Sequence, residues 1–508
     1  MLAPFFDKAA LGVLQAARGL TYDGLAERLL QVHVGVRVSR KAASCHAGRA
    51  AAELTVSLLA RLYPTLSIHA PDSFEDELWG VATRINPALS RGQRTPQIEI
   101  VIGRGHSSAN HVYGVGGAGW TAWLGAGESV PDRVWTNDPN VLGALFAACA
   151  AASAVFRYVF QDTGLDSEDQ SRVISLLDYE VPQGSSPSWQ EISLPPTHLV
   201  GLGAVGNAAV WALAHLPLGG TLQLVDPETV TLSNVQRYAL TGLEDVGSLK
   251  AELAARRLAM SRIAAVPRVM TWSDYVMRDD RAPLDVVLTA VDGVAARIQA
   301  QAALPRQIFN GWTDADGLGV SSHVQFGSGE PCLACLYRSR KPRESDLQLF
   351  AKNVGFSLEE TLNMLASRQS LSAEQVWRVE DYYELSRGAL AAWQGADLLR
   401  FREEVVCGGI IAKLSGHVAE EEDNLVPLAH QSTMAGVVLV AEFLKRLAFP
   451  QSSGYPNIIR CRITRPLPDS FLFSQQRPQG DACFCTDEDF VEVWRKHWGD
   501  LATASVSA

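Results

Sequence analysis

The stretch Thr197-HLVGLGAVGNAAVWALAHL-Pro217 decides the fold. A short apolar run ends at Val200, glycines stand at Gly201, Gly203 and Gly206, and an Ala-rich helical run follows. Strand, tight turn and helix in that order open a doubly wound α/β unit. The G-x-G-x-x-G spacing lets phosphate oxygens approach both the turn backbone and the helix N-terminus. By itself the turn serves a dinucleotide and ATP equally well. Further along, Thr221-LQLV-Asp226 reads as the second strand, ending in a carboxylate placed to hold a ribose hydroxyl. A helix begins at about Lys250, residues 266–277 hold a third strand region, and Asp285-VVLTAV-Asp292 makes a fourth. Strands alternating with helices predict a Rossmann-like, doubly wound parallel sheet.

At 508 residues the chain is long enough for two to four domains. Its 47% hydrophobic and 19% charged residues describe a globular protein with ample core. A net charge of -11, with no block of Lys or Arg, argues against a nucleic-acid partner. The longest apolar run, Val141-LGALFAACAAASAV-Phe156, is Ala-rich and reads as a buried helix rather than a membrane span. The N-terminus carries Asp7 and Lys8 where a signal peptide needs an apolar run, so a cytoplasmic protein with no membrane partner is expected.

Residues 1–180 mix helical patterns with a few strands, including Gln97-IEIVI-Gly103. The Pro- and Ser-rich residues 181–196 read as a linker. Residues 197–340 form the first part of the sheet domain, 341–425 a charged helical insertion, and 426–508 the completion of that domain with a cysteine-bearing tail. The acidic run Ala419-EEEDN is read as a solvated face. No fixed-period repeat shows.

The segment after Asp226 separates the two ligands. Asp226-PETVTLSNVQRYALTGLEDVGSLKAELAARRL resembles the superfamily of ThiF, MoeB and the ubiquitin-activating enzymes, with its Asp, its S-N-x-x-R and its V-G-x-x-K. The resemblance implies that Asp226 holds the ATP ribose, that Asn234 and Arg237 face the triphosphate, and that Lys250 binds its phosphates. Arg and Lys converging on one polyphosphate suit an adenylating enzyme, in which charge builds on the α-phosphate and the leaving pyrophosphate. Thr289-AVDGVAA-Arg297 is similar to the family's T-D-N-x-x-x-R, which implies Mg²⁺ at Asp292, with Gly293 replacing the usual Asn. Phe309-NGWTDADGLGVSSHVQFGSGEPCLACLY resembles the strands and C-x-x-C that close the family's adenylation domain.

Eight cysteines divide by context. Cys332 and Cys335 form a C-x-x-C, a spacing that brings two thiolates to one tetrahedral zinc. The family closes such a site with a second pair near the C-terminus, which implies Cys483 and Cys485 here, in a tighter C-x-C. Cys45, Cys149 and Cys461 read as small core residues. Cys407 lies in Phe401-REEVVCGGIIAKLSG, in the segment where thioester-forming relatives carry their catalytic cysteine. Gly408 and Gly409 would keep its thiol accessible and let a partner backbone approach.

A second literal G-x-G-x-x-G, at Gly114, Gly116 and Gly119, lacks the downstream residues and is read as structural. By analogy with the superfamily, residues 1–180 would be an adenylation-like partner that no longer binds ATP, fused in cis. Such partners lend an Arg to the triphosphate, and nothing in the sequence selects between Arg18 and Arg28. The resemblance thus implies a bacterial enzyme with ATP, Mg²⁺ and a structural zinc. It would adenylate the C-terminal Gly of a ubiquitin-like protein, capture it on Cys407 and pass it to a conjugating-enzyme-like protein. The alternative is a sulfur-carrier or peptide adenylyltransferase with no thioester relay.

Overall fold

A computed structural model describes residues 2–182, 191–315, 317–337, 346–406, 408–415, 425–449, 456–462, 464–467 and 483–504. Among these, two seven-stranded sheets organise the chain. The first contains β1 (Val34–Val38), β2 (Thr65–His69), β3 (Ser90–Arg91), β4 (Ile98–Ile102), β5 (His111–Ala118), β6 (Thr121–Ala126) and β7 (Arg172–Ser175). The second contains β8 (Ile192–Val200), β9 (Leu218–Val225), β10 (Arg262–Arg268), β11 (Val286–Thr289), β12 (Gln307–Thr313), β13 (Leu318–His323) and β14 (Ile458–Cys461).

Their spatial orders are β3-β2-β1-β4-β5-β6-β7 and β10-β9-β8-β11-β12-β13-β14, the same path drawn twice. In each, five neighbouring strands run parallel and the last two pairings are antiparallel. A buried helix joins the last two strands of each sheet: Leu142–Val159 in the first, Ala429–Ala448 in the second. These two helices pack on one another, and one continuous hydrophobic core runs through both units. The Ala-rich run therefore is a core helix, apolar because protein surrounds it.

Small residues let the Ala429–Ala448 helix pack on a second neighbour as well. A Cβ on Gly436 would lie 2.6 Å from both the Ala208 side chain and the Val205 carbonyl oxygen. The Ala429–Ala448 helix can thus ride on the Ala204–Ala214 helix only with glycine there. The same helix carries a fully buried ion pair, Glu442 with Lys445. The Tyr179 hydroxyl donates to Glu442 at 2.8 Å and the Lys445 ammonium donates to the Leu177 carbonyl at 3.0 Å, so the end of the first unit is tied to the second. Burial pulls the Lys445 pKa down, and the Glu442 carboxylate opposes that fall.

Two boundaries differ from expectation. The second sheet begins at Ile192, inside the expected linker. Pro195 and Pro196 sit where the β8–β9 register shifts between Leu194 and Thr197, an irregularity that spares the ladder the missing N–H groups. The third strand is Arg262–Arg268, followed by a short helix, Trp272–Val276, in place of one longer strand region. Among its described residues the insertion holds helices joined by turns, with no strand, and has its own small core around Phe350, Val379 and Phe401. The acidic run at 419–424 lies outside the described residues.

Candidate active site

β8 ends at Val200 and the chain turns through Gly201, whose φ of +84° only glycine adopts freely. A Cβ on Gly206 would lie 2.0 Å from the Gly201 carbonyl oxygen, so no side chain fits there. Gly203 caps the Ala204–Ala214 helix without a side chain, leaving backbone N–H groups open toward a ligand. The space a Cβ on Gly203 would take faces the Tyr238 hydroxyl at 3.7 Å.

Asp226, at the end of β9, is buried beneath this turn. Its carboxylate accepts from the Leu202 N–H at 2.6 Å and the Glu228 N–H at 2.8 Å, so it shapes the turn as well as facing it. Burial pushes the Asp226 pKa up, and Lys250 pulls it back. Lys250 opens the Lys250–Leu258 helix, buried, with its ammonium on the Glu228 carboxylate and 5.4 Å above the Tyr238 ring. Burial alone would lower the Lys250 pKa, but Tyr238, Asp226 and Glu228 outweigh it and hold the ammonium above the ordinary lysine value.

Between them runs the turn of residues 231–241. The Asn234 side-chain oxygen accepts from the Thr231 N–H at 3.0 Å and so closes the turn. Arg237 stands 5.7 Å from the Tyr238 ring, half-buried. Asp292 is exposed, two residues past Ala290, whose carbonyl oxygen packs against Gly201. The expected glycines, Asp226, Asn234, Arg237 and Lys250 therefore meet along one edge of the second sheet, with Asp292 beside the glycine turn. Sequence reading missed Glu228 and Tyr238, which lie inside the same motif and differ from its other positions only in being unremarked residue types.

Comparison with known proteins agrees with this geometry. The ThiF family matches residues 188–471, more than half of the chain. The chain belongs to the ThiF family. It is 34% identical over 98% of its length, and 98% of the relative's, to the uncharacterized protein y4jF of Sinorhizobium fredii (strain NBRC 101917 / NGR234). It is 29% identical to the sulfur carrier protein ThiS adenylyltransferase of Escherichia coli (strain K12), over 42% of this chain and 85% of that one. With the molybdopterin-synthase adenylyltransferase of the same organism it shares 36% identity over 28% of its own length and 57% of the relative's. Residues 37–161, the heart of the first sheet, match a second family, Prokaryotic E2 family C. This ThiF-family chain is an adenylyltransferase of the ThiF/MoeB type, and the family's chemistry is ATP-dependent.

Four thiols gather away from the glycine turn. Cys332, Cys335, Cys483 and Cys485 have sulfur atoms within 4.8 Å of one another. Four of the six pairs are 3.5 to 3.8 Å apart, close to the roughly 3.8 Å expected between thiolates sharing a tetrahedral ion at about 2.3 Å. Hydrogen bonds from the Cys332 and Cys335 thiols pull Cys483 and Cys485 below the ordinary thiol pKa. Nearby, Trp494 and Trp498 donate to the Pro305 and Leu304 carbonyls at 3.0 Å, so the C-terminal helix is moored to the second unit.

Cys407 lies outside the described residues. Its neighbours refine one expectation: a Cβ on Gly409 would lie 2.3 Å from the carbonyl oxygen of Asp7. The backbone that approaches this glycine is therefore the chain's own N-terminal helix, and Lys413 pairs with Asp7 at 3.2 Å alongside it. Before the cysteine, Arg402–Val406 forms a π-helical turn. Burial and the Glu228 carboxylate push the Glu403 pKa up, while Arg402 and Lys250 pull it down.

The remaining motifs fall as follows. Gly114 and Gly116 lie within β5, Gly114 paired with both β4 and β6 and Gly116 with β6, and Gly119 follows the strand at a φ of +59°; this G-x-G-x-x-G is sheet, not a phosphate turn. Arg28 is held by both oxygens of Asp162, and Arg18 is exposed. Cys45, Cys149 and Cys461 are buried. Of these, Cys45 caps the His46–Ala60 helix rather than lying within it.

Proposed function

We propose that this chain activates the C-terminal glycine of a ubiquitin-like protein. The convergence of Lys250, Tyr238 and Asp226 on the glycine turn carries this reading. The modifier's carboxylate oxygen attacks the α-phosphorus of ATP, and the bond to the oxygen bridging the β-phosphate breaks, releasing pyrophosphate. Lys250 and Arg237 lie where negative charge grows during that step. Asp226 orients the ribose, and the N–H groups at Gly203 receive phosphate oxygens. Asp292 would hold the Mg²⁺ that screens the polyphosphate. The Cys407 thiol then loses its proton and attacks the acyl carbon, AMP leaves, and a thioester forms.

The match of residues 37–161 to Prokaryotic E2 family C supports a relay to a conjugating-enzyme-like protein. Within that region the two cysteines, Cys45 and Cys149, are both buried, and burial raises both thiol pKa values. The accepting thiol would then come from another protein. The first unit reads as a degenerate copy of the second. The turn after β1, residues 39–47, contains no glycine and so no cradle for phosphate.

ATP–pyrophosphate exchange in the presence of a small Gly-ended protein tests the adenylation; no exchange with any such protein would leave a nucleotide-binding scaffold. Resemblance to the ThiS adenylyltransferase favours a second reading, activation without a relay. Cys407→Ala separates the two. It is expected to leave exchange within about twofold of wild type, since a group acting after the adenylate leaves that step untouched, and to abolish the thiol-reducible modifier adduct on gels. Survival of that adduct would remove Cys407 from the relay.

Cys332, Cys335, Cys483 and Cys485 would hold a zinc ion that ties the tail to the sheet. Cys335→Ser is expected to release zinc, read by a colorimetric chelator, and to lower the melting temperature. A metal-free wild-type protein with an unchanged melting temperature in chelator would rule the site out.

A further inference from the structure

One side chain of the first unit, Arg61, reaches the stretch that bears Arg237 and Tyr238. Arg61 follows the His46–Ala60 helix and is 2% exposed, at the contact between the two units. Its guanidinium donates to the Val235 carbonyl, to the Ala239 carbonyl at 3.3 Å, to the Thr241 carbonyl at 3.0 Å and to the Ser57 hydroxyl at 3.3 Å. These partners are neutral oxygens, not a carboxylate. Burial pulls the Arg61 pKa down to about 9, with Arg84 adding to the fall and Asp245 opposing it. Desolvating a charge of this kind is costly, and a planar fork is the group best shaped to hold several acceptors at once.

What it holds is the stretch that bears Arg237 and Tyr238. The carbonyls at 235, 239 and 241 go to Arg61, and the Arg237 carbonyl accepts from the Ser432 hydroxyl at 3.5 Å. From the other side the Leu240 N–H donates to the Asn207 side chain at 2.7 Å, and Asn207 lies on the helix that follows the glycine turn. Three carbonyls of a short irregular segment are thus clamped from the first unit, and its Leu240 N–H from the helix that follows the glycine turn. Remove the clamp, and Arg237 and Tyr238 must be ordered when the nucleotide arrives.

We propose that Arg61 is a positioning residue for the nucleotide site: it fixes the backbone of residues 235–241 and thereby sets Arg237 and Tyr238 against Gly203 and Lys250. The first unit so acts on the nucleotide through the second unit's backbone. The catalytic side of this inference rests on the adenylation reading above; the structural side does not.

The test compares full-length wild type, Arg61→Lys, Arg61→Gln and a control, Tyr179→Phe, which loses the bond to Glu442 at the same contact between units without touching residues 235–241. Arg61→Gln buries no charge and carries the test if Arg61→Lys does not fold. Two quantities are read: hydrogen–deuterium exchange of peptides covering 231–241, and the KM for ATP in pyrophosphate exchange. Both Arg61 variants are expected to exchange faster in that segment. KM for ATP should rise about tenfold with kcat within about threefold, the pattern of weakened ground-state binding. Tyr179→Phe, whatever its loss of melting temperature, should change neither. Unchanged protection of 231–241 in both Arg61 variants overturns the proposal, as does an effect on KM no larger than that of Tyr179→Phe. If the wild type shows no exchange activity the adenylation reading falls, and the deuterium arm still decides whether Arg61 holds the segment.

Discussion

Lys250→Ala is expected to cut ATP–pyrophosphate exchange by about 10² to 10³, the cost of removing a preorganised charge from a developing polyphosphate. The ammonium is buried and held protonated by Tyr238, Asp226 and Glu228, so it meets its substrate charged and with little freedom to lose. Its removal leaves Glu228, a largely exposed carboxylate that water can solvate, so the fold should tolerate the change. The measurement is the exchange rate at saturating ATP, with the melting temperature as a check on folding. Exchange within a few-fold of wild type would mean that the phosphates lie elsewhere.

The second large effect concerns stability. Glu442→Ala is expected to destabilise the chain by about 3–5 kcal/mol, because it strands a buried ammonium. Lys445 and Glu442 are both fully buried, and Tyr179 loses its acceptor at the same time. Chemical denaturation with an unchanged slope would measure it. A loss under about 1 kcal/mol would show that Lys445 sheds its proton in the fold and that the pair contributes little. The double variant Glu442→Leu with Lys445→Met should recover much of the loss, since the stranded charge is what costs.

Much of the edge beside the glycine turn was legible because its residues are local. Gly201, Gly203, Gly206, Asp226, Asn234, Arg237 and Lys250 fall within about fifty positions, and each strand-to-helix turn brings its neighbours to the same sheet edge. The cysteine cluster was legible for a different reason: metal spacing survives a separation of some 150 residues. Other features left no local trace. The first sheet repeats the topology of the second without repeating its glycines, so no periodicity marks it. β3 has only two residues, too few to alternate. Arg61 meets carbonyl groups 174 to 180 residues away, and carbonyls are present at every residue, so no side-chain pattern announces the contact. Pro195 and Pro196 looked like linker because proline opposes a ladder, and only the register shift accommodates them.

The twice-drawn strand path has one more consequence. Because both units belong to one chain, the surface between the Leu142–Val159 and Ala429–Ala448 helices is an intramolecular contact, governed by an effective concentration rather than by the amount of protein present. Dilution that would dissociate a pair of unlinked subunits leaves it intact. Identical subunits must also share every substitution, whereas here each half drifts alone. One half can keep its glycine turn while the other, whose matching turn at residues 39–47 has no glycine, is free to change.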